Sequence, residues 1–245
     1  MWYRSEERGV GVAFTDACEG NLAAHTGDDP AEVARRRRRL EEQLGSGPVR
    51  YVRQVHGIVV HDVTGAAAQD GDPAAAPEAD AVVSADGRPV GILTADCLPV
   101  VLVGEVPGGT PVLAVAHAGR KGLLSGVLQA AVNSVRGHGA HGIEAWIGPA
   151  VCGACYEVPE EMAREAGALV PGIVSTTSWG TTGLDLPGAA RTLLEANGVR
   201  VRPETLDHSA WCTLEHEDLY SYRRDRTTGR FAGVVWAREG SGRDE

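Results

Sequence analysis

The stretch from Val90 to Gly122, VGILTADCLPVVLVGEVPGGTPVLAVAHAGRKG, contains two apolar runs that each hold a residue able to bind a metal. The first run is typical of a buried strand, but Asp96, Cys97 and Pro99 interrupt it, and a central strand seldom holds proline. The second run leads to His117, which a small-residue turn follows. Because a cysteine in a break of one strand and a histidine at the end of the next can meet in the fold, we expect the chemistry here.

The segments around this stretch show both strand and helix patterns. Further strands are predicted at Val10–Phe14, Val49–Val55, Ile58–Val63, Asp80–Ser84 and Phe231–Trp236. Helices are predicted to follow Pro30, the AGRKG turn, Pro159 and Asp185. The glycine of the pair His56-Gly57 permits a tight turn, which predicts a hairpin with His56 at its tip or edge. Together these patterns predict a chain that contains both strands and helices.

The bulk composition is typical of one acidic, folded domain. The 245 residues contain no long linker, so we expect a single domain over 1–245, with a core of about 10–237 and a frayed tail at 238–245. The net charge of −10 argues against binding to nucleic acid, since the surface mostly repels phosphate. The run Arg35–Arg39 is predicted to be a solvated helix face. The stretch 65–78, GAAAQDGDPAAAPE, is the segment expected to be most mobile.

Cysteine usage and hydropathy indicate a cytoplasmic protein. The five cysteines are an odd number, and the N-terminal sequence lacks the apolar core of a signal peptide, which favours reduced thiols. No run approaches the roughly 18 apolar residues of a membrane span. We therefore expect no contact with a membrane.

His56, Cys97 and His117 all lie at ends or breaks of apolar strands, where polar side chains need a reason to be present. Two imidazoles and a thiolate form a three-ligand set for Zn²⁺ that leaves a fourth position open. The same atoms also suit a cysteine hydrolase, with Cys97 as nucleophile, His117 as base, and Asp96 or His56 as the orienting group. Spacing alone leaves both interpretations open.

Two other groups of residues could carry chemistry. Cys152 and Cys155 form a CxxC pair that could serve redox chemistry or a zinc knuckle, but the sequence has no second CxxC, which favours two thiols in a loop. Cys212 with His208 is a further possible pair, interpreted as loop packing. Near the C-terminus, aromatic rings and guanidinium groups that can stack a flat ring and hold an anion come from Asp218, Tyr220, Tyr222, Arg223, Arg224, Asp225 and Arg230. A surface network of salt bridges is the alternative for this group.

Five motifs resemble, in the same order, the motif series of the bacterial YfiH family. They are RQVHG (Arg53–Gly57), TADCLPV (Thr94–Val100), AHAGRKG (Ala116–Gly122), IGPAVCGACYEV (Ile147–Val158) and YSYRRDRTTGR (Tyr220–Arg230). Names attached to this family include polyphenol oxidase or laccase domain, peptidoglycan editing factor, and purine nucleoside phosphorylase with adenosine deaminase and methylthioadenosine phosphorylase activities. A copper laccase is disfavoured by the sequence, which has eight histidines and not one His-x-His pair.

The resemblance implies an α+β (α/β) fold of mixed sheets layered with helices, like that of certain toxin cysteine deamidases. It also implies one zinc ion per chain, held by His56, Cys97 and His117. The chain departs from the family in the turn after His117, where the family usually has Trp and Arg and this chain has Arg120 and Lys121. Lysine keeps the positive charge but lacks the bidentate fork of arginine. We expect this departure to affect substrate affinity more than metal binding.

The resulting hypothesis is a zinc enzyme that cleaves purine nucleosides with inorganic phosphate and deaminates adenosine. Zinc would activate water for deamination, and Asp96 would act as general acid/base or orient the ligands. The residues expected to bind the nucleoside and phosphate are Arg53, Lys121, Tyr220, Arg223 and Arg224. The alternatives are a cysteine hydrolase or amidase editing a peptidoglycan precursor and a non-catalytic zinc-binding interaction protein.

Overall fold

The computed structural model describes residues 1–66, 76–205 and 210–238. Its strands are β1 (Tyr3–Glu7), β2 (Val10–Phe14), β3 (Val60–Asp62), β4 (Ala81–Ser84), β5 (Val90–Thr94), β6 (Leu98–Glu105), β7 (Val112–Ala118), β8 (His141–Ile147), β9 (Val174–Thr176), β10 (Thr182–Leu184), β11 (Arg200–Val201) and β12 (Phe231–Ala237). Its helices are α1 (Pro30–Leu44), α2 (Arg120–Ser125), α3 (Val127–Gly137), α4 (Glu160–Leu169) and α5 (Leu186–Ala196). Residues 67–75 of the 65–78 stretch, His208 and the tail beyond 238 lie outside the described residues.

The strands form two large sheets and one small one. The first sheet has the order β1-β2-β12-β5 and is antiparallel throughout. The second has the order β11-β8-β6-β7-β4-β3, with parallel pairs at its two edges. The small sheet pairs β9 with β10. This mixture of sheets and helices confirms the predicted α+β fold.

The two large sheets pack against each other and are covered by helices on their outer faces. Side chains between the sheets come from β2, β5 and β12 on one side and β4, β6, β7 and β8 on the other. Leu40 and Leu44 of α1 pack on the far face of the four-stranded sheet. The apolar stripe of α3, with α2 and α5, covers the far face of the six-stranded sheet. The order of layers is therefore helix, sheet, sheet, helix.

Helices α1 and α5 begin at the capping residues that the sequence predicts. Asp29 caps α1 by accepting from the amide of Ala31, and Gly45 ends the helix in a left-handed conformation. Asp185 caps α5 by accepting from the amide of Gly188. The helical pattern after the AGRKG turn is divided into α2 and α3, because Gly126 between them has a φ of 98°. Among the described residues, no helix has both the length and the apolar character to cross a membrane.

Two local predictions are wrong. Residues 49–59 form no hairpin, because the amides of Val55 and Gly57 donate to the carboxylate of Asp80 and not across a strand pair. Pro99 does lie in a central strand, as the second residue of β6. Pro99 is paired with His117 of β7, but the amide of His117 donates to Asp80 on its other side, so Pro99 loses no hydrogen bond to β7. On the side of β8 the registered pairs begin at Val100 and Ile147, so the proline nitrogen stands at the end of that ladder.

Candidate active site

The chain crosses from one large sheet to the other through Ala95, Asp96 and Cys97, which connect β5 to β6. Asp96 makes this crossing with a φ of 83°, in the left-handed region that a non-glycine residue seldom adopts. Both of its carboxylate oxygens accept hydrogen bonds, from the hydroxyl of Thr213 at 2.7 Å and from the amide of Arg223 at 2.8 Å. Asp96 therefore fixes the turn that presents Cys97.

Asp80 orients both candidate histidine ligands. Its Oδ1 lies 2.8 Å from Nδ1 of His117, and both side chains are almost fully buried. The same carboxylate accepts from the amide of His56 at 2.9 Å and from that of Gly57 at 2.6 Å. These bonds hold His56 at a φ of 61°. The carboxylate of Asp80 therefore fixes the orientation of the His117 ring on β7 and the backbone conformation of the turn at His56.

Sequence reasoning missed Asp80, although a signal for it was present. Asp80 stands directly before the apolar residues of β4, where an ionised carboxylate needs partners to be tolerated. Burial would raise the pKa of Asp80, but its hydrogen bonds to His117 and to backbone amides lower that pKa below its ordinary value. The carboxylate is therefore charged and can hold the imidazole of His117.

The ligand atoms of His56, Cys97 and His117 all lie within 4.8 Å of one another. Sγ of Cys97 is 3.8 Å from Nε2 of His56, and the two imidazole rings are 4.7 Å apart between centroids. Because Asp80 engages Nδ1 of His117, the Nε2 atom is the one left to bind a metal. Two imidazole nitrogens and one sulfur are donors that suit zinc, so the three residues can hold a metal ion.

The charge state of Cys97 and His117 suits either a metal or a nucleophile. Burial would raise the pKa of Cys97, but hydrogen bonds to His117 and His56 lower it to about 6. Burial would lower the pKa of His117, but hydrogen bonds to Asp80 and Cys97 raise it to about 9. The metal-free pair is thus a thiolate beside an imidazolium at neutral pH, and a metal must displace the proton of His117.

Gly119 leaves the space in which the ligands meet. A Cβ atom at this position would lie 2.7 Å from Cδ2 of His56 and 2.9 Å from Sγ of Cys97. Both distances are shorter than ordinary van der Waals contact. The absence of a side chain here is therefore a condition for the ligand cluster.

The ligand cluster opens into a cleft of about 1590 Å³ that Asp96 also lines. Six arginine side chains line the same cleft: Arg37, Arg53, Arg120, Arg223, Arg226 and Arg230. This is a concentration of positive charge in a chain whose net charge is −10. A separate cleft of about 440 Å³, lined by residues of β1 and β8, contains none of the predicted site residues.

Three of these arginines are available to an anion. Among residues 1–66, 76–205 and 210–238, neither a carboxylate nor a backbone carbonyl accepts from the guanidinium of Arg120, Arg223 or Arg226. Of the other three, Arg53 pairs with Glu78, and Arg37 and Arg230 donate to backbone carbonyl oxygens. The guanidinium of Arg223 lies 4.4 Å from the ring centroid of Tyr156, and that of Arg226 lies 5.3 Å from the ring of Tyr222. Two of the three arginines therefore lie over aromatic rings that also line the cleft.

Two residues that line the cleft carry buried hydroxyl groups without a hydrogen-bond partner in the part of the chain that is described. They belong to Tyr51, which is 7% exposed, and to Thr94, which is 1% exposed. A buried polar group without a partner is costly, by about 1–3 kcal/mol. Such groups at a cleft wall are candidates for hydrogen bonds to a ligand.

The structure brings some of the predicted substrate residues to the cleft and not others. Arg53, which pairs with Glu78, and Arg223 line it. Lys121 is exposed on α2 and, like Tyr220 and Arg224, is not among the residues that line the cleft. Their part in substrate binding stays a prediction.

The guanidinium of Arg224 is engaged by backbone carbonyl oxygens of its own loop. Its guanidinium donates to the carbonyl oxygens of Thr213 at 3.0 Å, His216 at 2.9 Å and Leu219 at 2.6 Å. These bonds hold the loop that precedes it. In the turn after His117, the side chain that faces the cleft is that of Arg120, where the YfiH pattern usually has tryptophan.

Comparison with known proteins gives one consistent group of relatives. Residues 4–238 match the family described as multi-copper polyphenol oxidoreductase laccase. A purine nucleoside phosphorylase from Streptomyces griseus is 48% identical over 235 residues, covering 94% of this chain and 92% of the relative. The purine nucleoside phosphorylase YfiH of Escherichia coli K12 is 39% identical over 239 residues, covering 95% and 92%. The crystal structure of YlmD from Geobacillus stearothermophilus aligns with a TM-score of 0.79 at 30% identity, covering 94% and 93%.

Proposed function

The chain belongs to the laccase-like YfiH family, and on that premise we propose that it is a zinc-dependent purine nucleoside phosphorylase. Its substrates are adenosine, inosine and methylthioadenosine with inorganic phosphate, and the same site deaminates adenosine. The observation that carries this proposal is the opening of the His56, Cys97 and His117 cluster into an arginine-lined cleft. Thiolate ligation requires a reduced cysteine, which fits a cytoplasmic enzyme.

Zinc suits this site better than the copper centres that the family description names. The chain has eight histidines and no His-x-His pair, whereas a multicopper oxidase uses many histidines in such pairs. A zinc ion held by His56, Cys97 and His117 would supply a Lewis acid next to the substrate. Asp80 would keep Nε2 of His117 directed at the ion, and Asp96 would act as a positioning residue for Cys97.

The arginines of the cleft supply what phosphate needs. In phosphorolysis an oxygen of phosphate bonds to C1′ of the ribose while the bond from C1′ to the purine nitrogen breaks. The phosphate would be held by charge-assisted hydrogen bonds from Arg120, Arg223 and Arg226, whose positive charges would also neutralise the charge of the phosphate. Their lack of carboxylate partners among the described residues leaves their donors available.

Aromatic rings and buried hydroxyls suit the nucleoside part of the substrate. Tyr222 is 43% exposed at the cleft and can stack on a purine ring. The hydroxyls of Tyr51 and Thr94 can then bond to the base or the ribose, which removes the cost of leaving them unpaired. The cleft therefore offers a face for the base, donors for the sugar and cations for phosphate.

The test is the phosphate dependence of nucleoside cleavage. Purified protein is incubated with inosine, adenosine or methylthioadenosine, and free base, ribose 1-phosphate and deaminated product are measured by chromatography. Release of base that requires both phosphate and bound zinc supports the proposal. Zinc-loaded protein that cleaves none of the three nucleosides at saturating phosphate would favour the non-catalytic alternative.

Comparison of two neighbouring residues locates the phosphate site. Arg120→Ala is expected to raise KM for phosphate about tenfold or more, because it removes a cleft cation. Lys121→Ala tests the prediction made from sequence, and Arg38→Ala, on the exposed face of α1, is the control. A rise in KM for Lys121→Ala alone would move the phosphate site away from Arg120.

A cysteine hydrolase is the second candidate, and one observation favours it. Cys97, His117 and Asp80 are arranged as nucleophile, base and orienting carboxylate, with a thiolate beside a charged imidazole. Full activity of metal-free protein on an amide substrate, abolished by alkylation of Cys97, would support this candidate. Loss of nucleoside cleavage on chelation, with recovery on zinc addition, would contradict it.

A further inference from the structure

A second cluster of possible metal ligands lies where two loops of the cleft wall meet. Sγ of Cys152, Cys155 and Cys212 and a carboxylate oxygen of Glu215 all lie within 4.8 Å of one another. The three thiols are buried, at 6%, 3% and 0% exposure, whereas Glu215 is exposed. The nucleoside chemistry proposed above uses none of these four side chains.

Two tight turns bring the four donors together. The amide of Cys155 donates to the carbonyl of Cys152 at 3.0 Å, and the amide of Glu215 donates to the carbonyl of Cys212 at 3.2 Å. Each turn thus separates its two donors by two residues, the spacing typical of zinc knuckles. The amide of Cys152 also lies 3.4 Å from Sγ of Cys212, which is a bond from one turn to the other.

We propose that Cys152, Cys155, Cys212 and Glu215 bind a second zinc ion with a structural role. Four protein ligands close the coordination sphere, in contrast to the three ligands and open position of the active site. Three sulfurs are soft donors that select zinc over the oxygen-seeking cations. Because three thiols cannot all pair as disulfides, a single ion is the arrangement that uses every donor of the cluster.

The surroundings of the sulfurs agree with a closed site. The cysteines pack with Val151, and the partly buried side chains of Tyr156 and Leu214 lie against them. This apolar shell excludes water from the sulfurs, which suits an ion that holds protein segments together more than one that meets a substrate.

The ion would cross-link the two loops that form one wall of the cleft. The loops already meet through the amide of Thr213, which donates to the carbonyl of Ala150 at 3.0 Å. The hydroxyl of Thr213 in turn holds Asp96 in the turn before Cys97. The first loop carries Tyr156 and the second leads to Arg223, whose guanidinium stacks on that ring. The second ion would therefore fix the position of residues that line the cleft, but the ion itself would not contact a bound substrate.

Metal stoichiometry tests the proposal without relying on enzymatic activity. Full-length protein is loaded with zinc, desalted and analysed for metal per chain. Wild-type protein and Cys18→Ser, which alters an exposed cysteine outside both clusters, are expected to retain two zinc ions. Cys212→Ser and His56→Ala are each expected to retain one, from different sites. A wild-type protein that retains a single ion, or an undiminished content in Cys212→Ser, overturns the proposal.

Cobalt identifies the ligands of the second ion. In the double variant His56→Ala, His117→Ala, bound Co²⁺ is expected to show strong sulfur-to-cobalt charge-transfer absorption and the visible bands of a tetrahedral site. Weak absorption typical of octahedral oxygen ligation contradicts the proposal.

Two further measurements test the proposal even if Cys212→Ser does not fold. Should the buried substitution Cys212→Ser prevent folding, Glu215→Ala changes an exposed ligand and is expected to weaken zinc binding at this site about tenfold or more. Unchanged zinc affinity in Glu215→Ala removes the carboxylate from the site and overturns the four-ligand assignment. The intact mass of unreduced protein separates the remaining outcome: one zinc ion together with a disulfide among the three cysteines makes the cluster a thiol redox pair.

Discussion

Replacing Gly119 with alanine perturbs the candidate metal ligands without deleting any of them. Gly119 has a φ of −71° and a ψ of 164°, which alanine adopts without strain. The added Cβ would lie 2.7 Å from Cδ2 of His56 and 2.9 Å from Sγ of Cys97, whereas ordinary contact begins at 3.4 Å. The two side chains must therefore retreat by about 0.7 Å and 0.5 Å.

These displacements exceed what a metal site tolerates. Ligand distances in zinc sites vary by only about 0.2 Å, so at least one of the two ligands is lost or misplaced. We expect metal affinity to fall by about 100-fold or more, which corresponds to about 2.7 kcal/mol of binding free energy. Stability of the metal-free protein is expected to change little, since His56 is exposed and can move towards solvent.

The assay is competition for zinc with a chromophoric chelator, run beside thermal unfolding of the metal-free protein. Gly137→Ala is the matched control, because no atom outside its own helix lies within 4 Å of the position where its Cβ would stand. Inosine cleavage is expected to fall in parallel with zinc content. Zinc affinity of Gly119→Ala within about threefold of wild type would refute the assignment of His56 and Cys97 as ligands of one ion.

Asp80→Asn, which keeps the size of the side chain but removes its charge, is expected to lower zinc affinity about 10- to 100-fold, and an unchanged affinity in a zinc titration would dismiss the orienting role of Asp80. In metal-free protein, the alkylation rate of Cys97 by iodoacetamide is expected to reach half its maximum near pH 6, because the thiolate forms as pH rises through the lowered pKa of about 6. Cys18, whose pKa the neighbouring Asp16 raises, is the control in the same peptide-mass measurement, and a shared midpoint for both cysteines would contradict the environment described for Cys97. Asp185→Ala is expected to cost about 1 kcal/mol in urea unfolding, because it removes the N-cap of α5, and a stability equal to wild type would show that the cap contributes nothing.

Local chemistry made the helices and most strands predictable. Asp29 and Asp185 are caps that depend only on the next few residues, and the apolar runs of β5 to β7 need no partner to be recognised as buried. The predicted hairpin after residue 49 failed for the opposite reason. Its turn amides bind a carboxylate 23 to 25 residues further along the chain, a contact that no local pattern contains.

For the candidate site as well, local sequence indicated some features and not others. His56, Cys97 and His117 were found as polar residues at strand breaks, and their meeting depends on pairing between distant strands, which the motif resemblance supplied. The CxxC at Cys152 is visible in the sequence, but its partners Cys212 and Glu215 come from a separate loop. Polar residues were therefore predictable as candidates, whereas their grouping required the fold.

The crossing of the chain between the two sheets has a consequence for how the protein loses its structure. Cys97 ends the crossing directly before β6, His117 lies on β7, and Asp80, directly before β4, holds the turn of His56, so these donors separate when the three neighbouring strands of the six-stranded sheet part. An ion bound to all three adds its binding free energy to the folded state alone. Release of the ion and separation of these strands then become one cooperative event, and the melting temperature depends on the free metal concentration as well as on the chain itself.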